Sequence, residues 1–95
     1  MSINLRTEPF IPMSEEQRFK LQERFISEGR TARRCGLYFS QCPPFKDKDM
    51  EISWRMGWTY EVQDEIDYQR KRGNERRAQD LKTMLEGLVW EPPWL

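Results

Sequence analysis

Between residues 50 and 66 the chain sets Met50, Trp54, Trp58, Val62 and Ile66 at every fourth position. A four-residue step nearly closes one helical turn, so these side chains form a single apolar ladder down one face of a helix. Two indoles on neighbouring turns need a recess to bury them. The preceding stretch offers one, because Gly29, Ala32 and Gly36 fall at i, i+3 and i+7 of a face stripped of bulk. A glycine after a periodic run also caps helices, which is the competing reading at Gly29. Carrying two glycines through a helix gives up about 2 kcal/mol against alanine. Close approach of a bulky neighbour offsets that loss, so one long helix over residues 14–38 is expected. Gly29, Ala32, Gly36, Trp54, Gly57 and Trp58 are then the structural core. Burying each indole is worth about 3 kcal/mol or more, comparable to the net stability of a small domain.

The element boundaries are marked by turn chemistry. Residues 1–12 carry Pro9 and Pro12 without helical period and form an extended arm, with Phe10 and Ile11 among its apolar side chains. Ser14 and Gln17 then make a Ser-x-x-Gln capping box, and Glu15 and Glu16 complement the positive end of the helix that follows. Phe19, Leu21, Phe25 and Ile26 supply its apolar face. Cys42-Pro43-Pro44 must terminate any helix that reaches it, since proline lacks the amide and restricts its predecessor. The second helix is expected over residues 48–72, opening at Asp47 or Asp49. Gly73-Asn74 closes it and caps a third helix over residues 75–88, where Ala78, Leu81, Leu85 and Leu88, with Met84, form an amphipathic stripe. Residues 89–95 are a second arm: Pro92 and Pro93 hold it extended, and Trp90 and Trp94 make it either a clip over the bundle or an exposed docking peptide. The expected fold is all-α, one small domain built from a helical hairpin and a third helix, with extended arms at both ends.

Composition limits what such a domain can do. Sixteen basic residues balance sixteen acidic ones in 95 residues, so the chain lacks the overall positive charge of a protein that lives on phosphate backbones. Cys35 and Cys42 are too few for a disulfide framework or, with no histidine, for a closed zinc site. Free thiols in a cytoplasmic protein are the simplest reading, with a Cys35 to Cys42 bridge as the alternative. No apolar run reaches the length a membrane span requires. Catalysis finds no support either: there is no histidine to serve as base, no phosphate-cradling glycine loop and no activated nucleophile. Neither a cofactor nor a metal is expected.

The pattern Gly29-x-x-Ala32-x-x-x-Gly36, then Cys42-Pro43, then Trp54-x-x-Gly57-Trp58 resembles the core of the ribosome modulation factor family, including its CrpP-like members. The likeness covers residues 29–58, with an apparent one-residue insertion around Pro43-Pro44. It implies a two-helix core and binding to the ribosome, since the founding member contacts ribosomal RNA and takes ribosomes out of translation. A matching RNA patch would comprise Arg30, Arg33, Arg34 and Lys46 with Tyr38 and Phe39, basic side chains beside aromatics. This chain departs from that family in its neutral charge and in the acidic run Glu61, Asp64, Glu65 and Asp67. The whole-chain character, a small neutral helical protein with arms at both ends, is also similar to the anti-RecBCD proteins of lambdoid phages. That likeness implies binding to the host recombination nuclease.

Two functions are therefore expected to compete. One is a non-enzymatic, phage- or prophage-encoded modulator that docks on a large host protein complex through Phe10, Ile11, Trp90, Pro92, Pro93 and Trp94. The other is a ribosome- or RNA-binding regulator of translation. Charge favours the first, because affinity for nucleic acid scales with the phosphates neutralised. The basic block Arg70, Lys71, Arg72, Arg76 and Arg77 follows the acidic run, and mutual neutralisation across Gly73 or docking to a complementary protein would each explain it. Prolines beside aromatics at residues 9–12, 43–45 and 92–94 add a prolyl isomerase as a further candidate partner.

Overall fold

Ser14 and Gln17 close the expected capping box, the Gln17 amide donating to Ser14 Oγ at 3.2 Å and the Ser14 amide to Gln17 Oε1 at 3.1 Å. The computed structural model describes residues 13–90, and the helix that this box opens, α1, runs Glu15–Arg34. A short 3-10 turn follows at Phe39–Gln41, then α2 (Lys48–Lys71) and α3 (Glu75–Glu86). No strand occurs among the described residues, so the domain is all-α as expected. The arm of residues 1–12, with Phe10 and Ile11, and the tail residues Pro92, Pro93 and Trp94 lie outside the described residues.

The ladder is the core. Met50, Trp54, Trp58, Val62 and Ile66 are each no more than 3% exposed, and α2 carries them between α1 on one side and α3 on the other. Ala78 and Leu81 of α3 are buried in one cluster with Trp54, Trp58, Val62 and Ile66, and Met84, Leu85 and Leu88 are partly buried against it. Asp47 caps α2 by accepting from the Asp49 amide, and Asn74 caps α3 by accepting from the Arg77 amide. Asn74 was legible as a cap from residue type, whereas residue type left Asp47 and Asp49 both open for α2 and the hydrogen bond selects Asp47.

Where α1 stops is a correction. The expected helix over 14–38 ends at Arg34, with Cys35 as its cap and Gly36 at φ 87°. The Gly36 amide donates to the Arg33 carbonyl and the Leu37 amide to the Ala32 carbonyl, both at 3.0 Å. This is a Schellman closure, in which the left-handed residue is most easily glycine. Gly36 is therefore exposed at a helix end and forms no part of a tryptophan recess. The same closure recurs at Gly73 (φ 80°), where the Asn74 amide reaches the Gln69 carbonyl at 2.8 Å.

Gly29 does lie inside α1 and is buried, against backbone instead of an indole. A Cβ at residue 29 would run into the Trp54 carbonyl oxygen and lie 2.9 Å from the Trp58 nitrogen. Gly57 answers it from α2: a Cβ there would strike the Ile26 carbonyl oxygen and lie 2.9 Å from the Ile26 Cα. The two helices thus cross backbone to backbone at a pair of reciprocal glycines. Ala32 packs on the core beside them, half-buried. Phe19, expected on the apolar face of α1, is instead 60% exposed.

The hairpin geometry is the second correction. Contacts between α1 and α2 ascend together: Arg18 meets Asp47 and Asp49, Ile26 meets Gly57, and Arg33 meets Glu65. In an antiparallel hairpin they would descend. Here α1 and α2 run in the same sense, and residues 35–47 return along them. The return is traced by Leu37 beside Trp58, Phe39 under Arg55, and Phe45 against Phe25. Pro43 and Pro44 keep the segment out of helical conformation along this path.

Candidate interaction surfaces

The sequence placed Arg30, Arg33 and Arg34 on one basic patch, and α1 does present them together. Their guanidiniums face α2, where the acidic run meets them. Arg33 grips Glu65 in a two-pronged bridge, Nε to Oε2 at 2.7 Å and Nη2 to Oε1 at 3.0 Å. Arg30 bonds Asp64 at 2.7 Å and Glu61 at 3.4 Å, and Arg34 bonds Glu61 at 3.0 Å. The Glu61 hydrogen bond pushes the Arg34 guanidinium further above its already high range. At the other end of the crossing Arg18 joins Asp47 and Asp49, and the Asp49 hydrogen bond does the same to it. Glu61, Asp64 and Glu65 of the acidic run are thus paired with α1, and among the described residues none of the three pairs with the basic block around Gly73.

The other members of that patch are dispersed. Phe39 is buried, edge-on to Trp58 with ring centroids 5.4 Å apart, and Arg55 covers its face at 4.5 Å. Tyr38 is 72% exposed at the start of the 3-10 turn, and Lys46 is exposed near the start of α2. The structure therefore brings the three arginines together, buries the phenylalanine and leaves Tyr38 and Lys46 on the surface.

Trp58 is held from several directions. Its indole N–H donates to the Leu37 carbonyl at 2.9 Å, and Arg33 lies 5.3 Å from its ring. Leu37 is the residue that the Gly36 closure swings back, so the turn supplies the acceptor an indole requires when buried. Trp54, the other indole of the ladder, is 3% exposed.

Trp90, the one tail member of the expected docking set within the described residues, folds back onto the bundle. Its ring stands 5.5 Å from that of Phe39, and it is half-buried. An open groove of about 590 Å³ runs beside it, lined by Thr59, Tyr60, Gln63, Leu85 and Leu88. A second of about 600 Å³ lies on the opposite flank, against Tyr38, Phe39, Arg55 and Val89. Val89 is 96% exposed. The root of the C-terminal tail thus clips the core and leaves an apolar strip on either side, which sequence spacing did not anticipate.

Both thiols are free, Cys35 exposed and Cys42 partly buried. Burial pushes the Cys42 thiol up despite nearby Arg55. Among the described residues no cluster of three or more His, Cys, Asp or Glu side chains is placed to hold a metal ion, and no helix is long and apolar enough to cross a membrane. No protein-family model matches the chain, and neither a curated protein nor a solved structure shows significant similarity to it.

Proposed function

We propose that this chain is a non-enzymatic protein, encoded by a phage or prophage, that docks on a large host nucleic-acid-processing complex and modulates it, with the RecBCD recombination nuclease as the leading partner. The observation that carries the choice is the ion-pair seam. Arg30, Arg33 and Arg34 are engaged by Glu61, Asp64 and Glu65, so the α1 face that would serve ribosomal RNA has its charge matched within the molecule. To bind phosphate there, an RNA would have to compete with preformed carboxylate bridges, one of them two-pronged and partly buried. Protein docking needs no such exchange. The apolar strips flanking Val89 and Trp90 supply the kind of surface on which aromatic-rich interfaces form.

The test uses purified components. Titrated into RecBCD degrading linear duplex DNA, the chain should alter nuclease output at stoichiometric concentrations, and removal of residues 90–95 should weaken the effect while leaving the helical circular dichroism intact. Unchanged nuclease activity, together with no co-elution in size exclusion, would reject this partner. Capture from bacterial lysate separates the alternative: ribosomal proteins that vanish on RNase treatment would favour a translation regulator like the ribosome modulation factor. Co-purification of a prolyl isomerase would add that partner to the complex.

A further inference from the structure

Among the described residues, the basic block around Gly73 is a concentration of positive charge that the fold pairs only in part. Arg70 touches Glu75 at 3.4 Å, and Arg72 lies over the Tyr68 ring at 5.4 Å, bonding its hydroxyl at 3.2 Å. Lys71, Arg76 and Arg77 make no side-chain ion pair among the described residues, although Asp67 and Asp80 stand about one helical turn away. The contrast with α1 is sharp, since Arg18, Arg30, Arg33 and Arg34 all find carboxylates on α2.

The placement also works against the local helix. Arg70 and Lys71 end α2, where cations suit the negative end of the dipole. Arg76 and Arg77 are the second and third residues of α3, where the dipole is positive and cations are unfavourable. The Gly73 closure folds the two groups onto one corner, so like charges add to that penalty. Arg72 and Arg77 share a shallow polar depression there with Gln69, Gly73 and Asn74. A local rule broken without an internal partner is expected where function supplies the partner from outside.

We infer that this α2–α3 corner is a contact site for the phosphate backbone of nucleic acid. An acidic protein surface is the other anionic partner, and the composition of the corner argues against it. Protein interfaces are centred on buried apolar and aromatic anchors, and among the described residues Tyr68, 55% exposed and beside Arg72, is the one exposed large apolar side chain near this depression. Phosphate binding needs little beyond charge, and guanidinium groups match phosphate oxygens in pairs. Four of the five cations are arginine. The inference does not rest on the RecBCD reading, because the corner shares no lining residue with the Trp90 strips and is tested with the isolated chain.

The probe is a fluorescein-labelled single-stranded oligonucleotide, with its duplex form alongside, followed by anisotropy from low to moderate salt. Three or four neutralised phosphates predict a log–log salt slope of about −2 to −3 for the single strand. The variant K71Q/R76Q/R77Q should lower that slope to below about −1 in magnitude and weaken low-salt binding at least about tenfold. A charge-matched control, K20Q/R24Q/K82Q, should retain the wild-type slope. K71Q/R76Q/R77Q should also melt no lower than wild type, because it relieves repulsion at the start of α3. Absence of binding at low salt, equal losses in both variants, or labelled poly-glutamate binding as tightly as the oligonucleotide would each overturn the assignment.

Discussion

Gly57→Ala is the most direct probe of how the helices meet. The added methyl would lie 2.7 Å from the Ile26 carbonyl carbon and 2.9 Å from its Cα, where ordinary contact begins at 3.4 Å. The obstacle is backbone, which cannot rotate aside, so α1 must lift away from α2 by at least half an ångström, on the order of the overlap in an overpacked core. That shift loosens Trp54 and Trp58 along the whole seam. Overpacking costs about 1–3 kcal/mol, with a backbone obstacle at or above the upper end, and the alanine returns about 1 kcal/mol of helix propensity. The net loss is about 2 kcal/mol or more, which at roughly 4–8 °C per kcal/mol for a domain of this size lowers Tm by about 8–16 °C. Two other glycines calibrate the result. Gly36→Ala meets nothing within 4 Å but must hold φ 87°, a loss of about 1–2 kcal/mol without any change in packing. Gly87→Ala meets only ordinary contacts at 3.6 Å with φ −85° and should be neutral or stabilising by up to about 1 kcal/mol. Thermal melts followed by circular dichroism read all three. If Gly57→Ala melts at or above wild type, the backbone-to-backbone crossing is wrong.

In a double-mutant cycle, Arg33→Ala and Glu65→Ala should couple by about 1 kcal/mol, since the bridge is two-pronged and partly shielded, and the coupling should shrink in high salt; no coupling in urea melts would mean that the seam is ornamental to stability. The Glu51 carboxyl is held below its usual range, first by the hydrogen bond from Lys48, so it contributes stability above the unfolded carboxylate pKa of about 4.3 that is lost as pH falls through its lower folded value. NMR titration should place Glu51 below an ordinary glutamate, and Lys48→Ala should raise it; an unmoved midpoint contradicts the assignment. Exposed Cys35 should alkylate faster than Cys42, whose thiol burial pushes up, and equal rates by mass spectrometry would count against the packing of residues 35–47.

Much of this fold was legible because local chemistry specified it. The Ser14–Gln17 box, the Asp47 and Asn74 caps, the Gly73 stop and the four-residue ladder are determined by side chains acting within a few residues of themselves. Spacing could not say whether Gly36 continued the helix or closed it, because both uses of glycine suit the same pattern. The basic patch failed for a related reason. Arg30, Arg33 and Arg34 read as a free surface until a helix more than 25 residues away in sequence brings Glu61, Asp64 and Glu65 against them.

What the sequence determined by itself was the set of α-helices, the residue types that cap their N-termini and the face of α2 that had to be buried, since periodicity and hydrogen bonding along one segment suffice for these. What only the tertiary structure decided was direction and partnership. The return path of residues 35–47 makes α1 and α2 run in the same sense, and that register chooses which charges cancel and which remain at the α2–α3 corner. Charge pairing depends on distances of a few ångströms between segments far apart in the chain, and a linear pattern does not contain them.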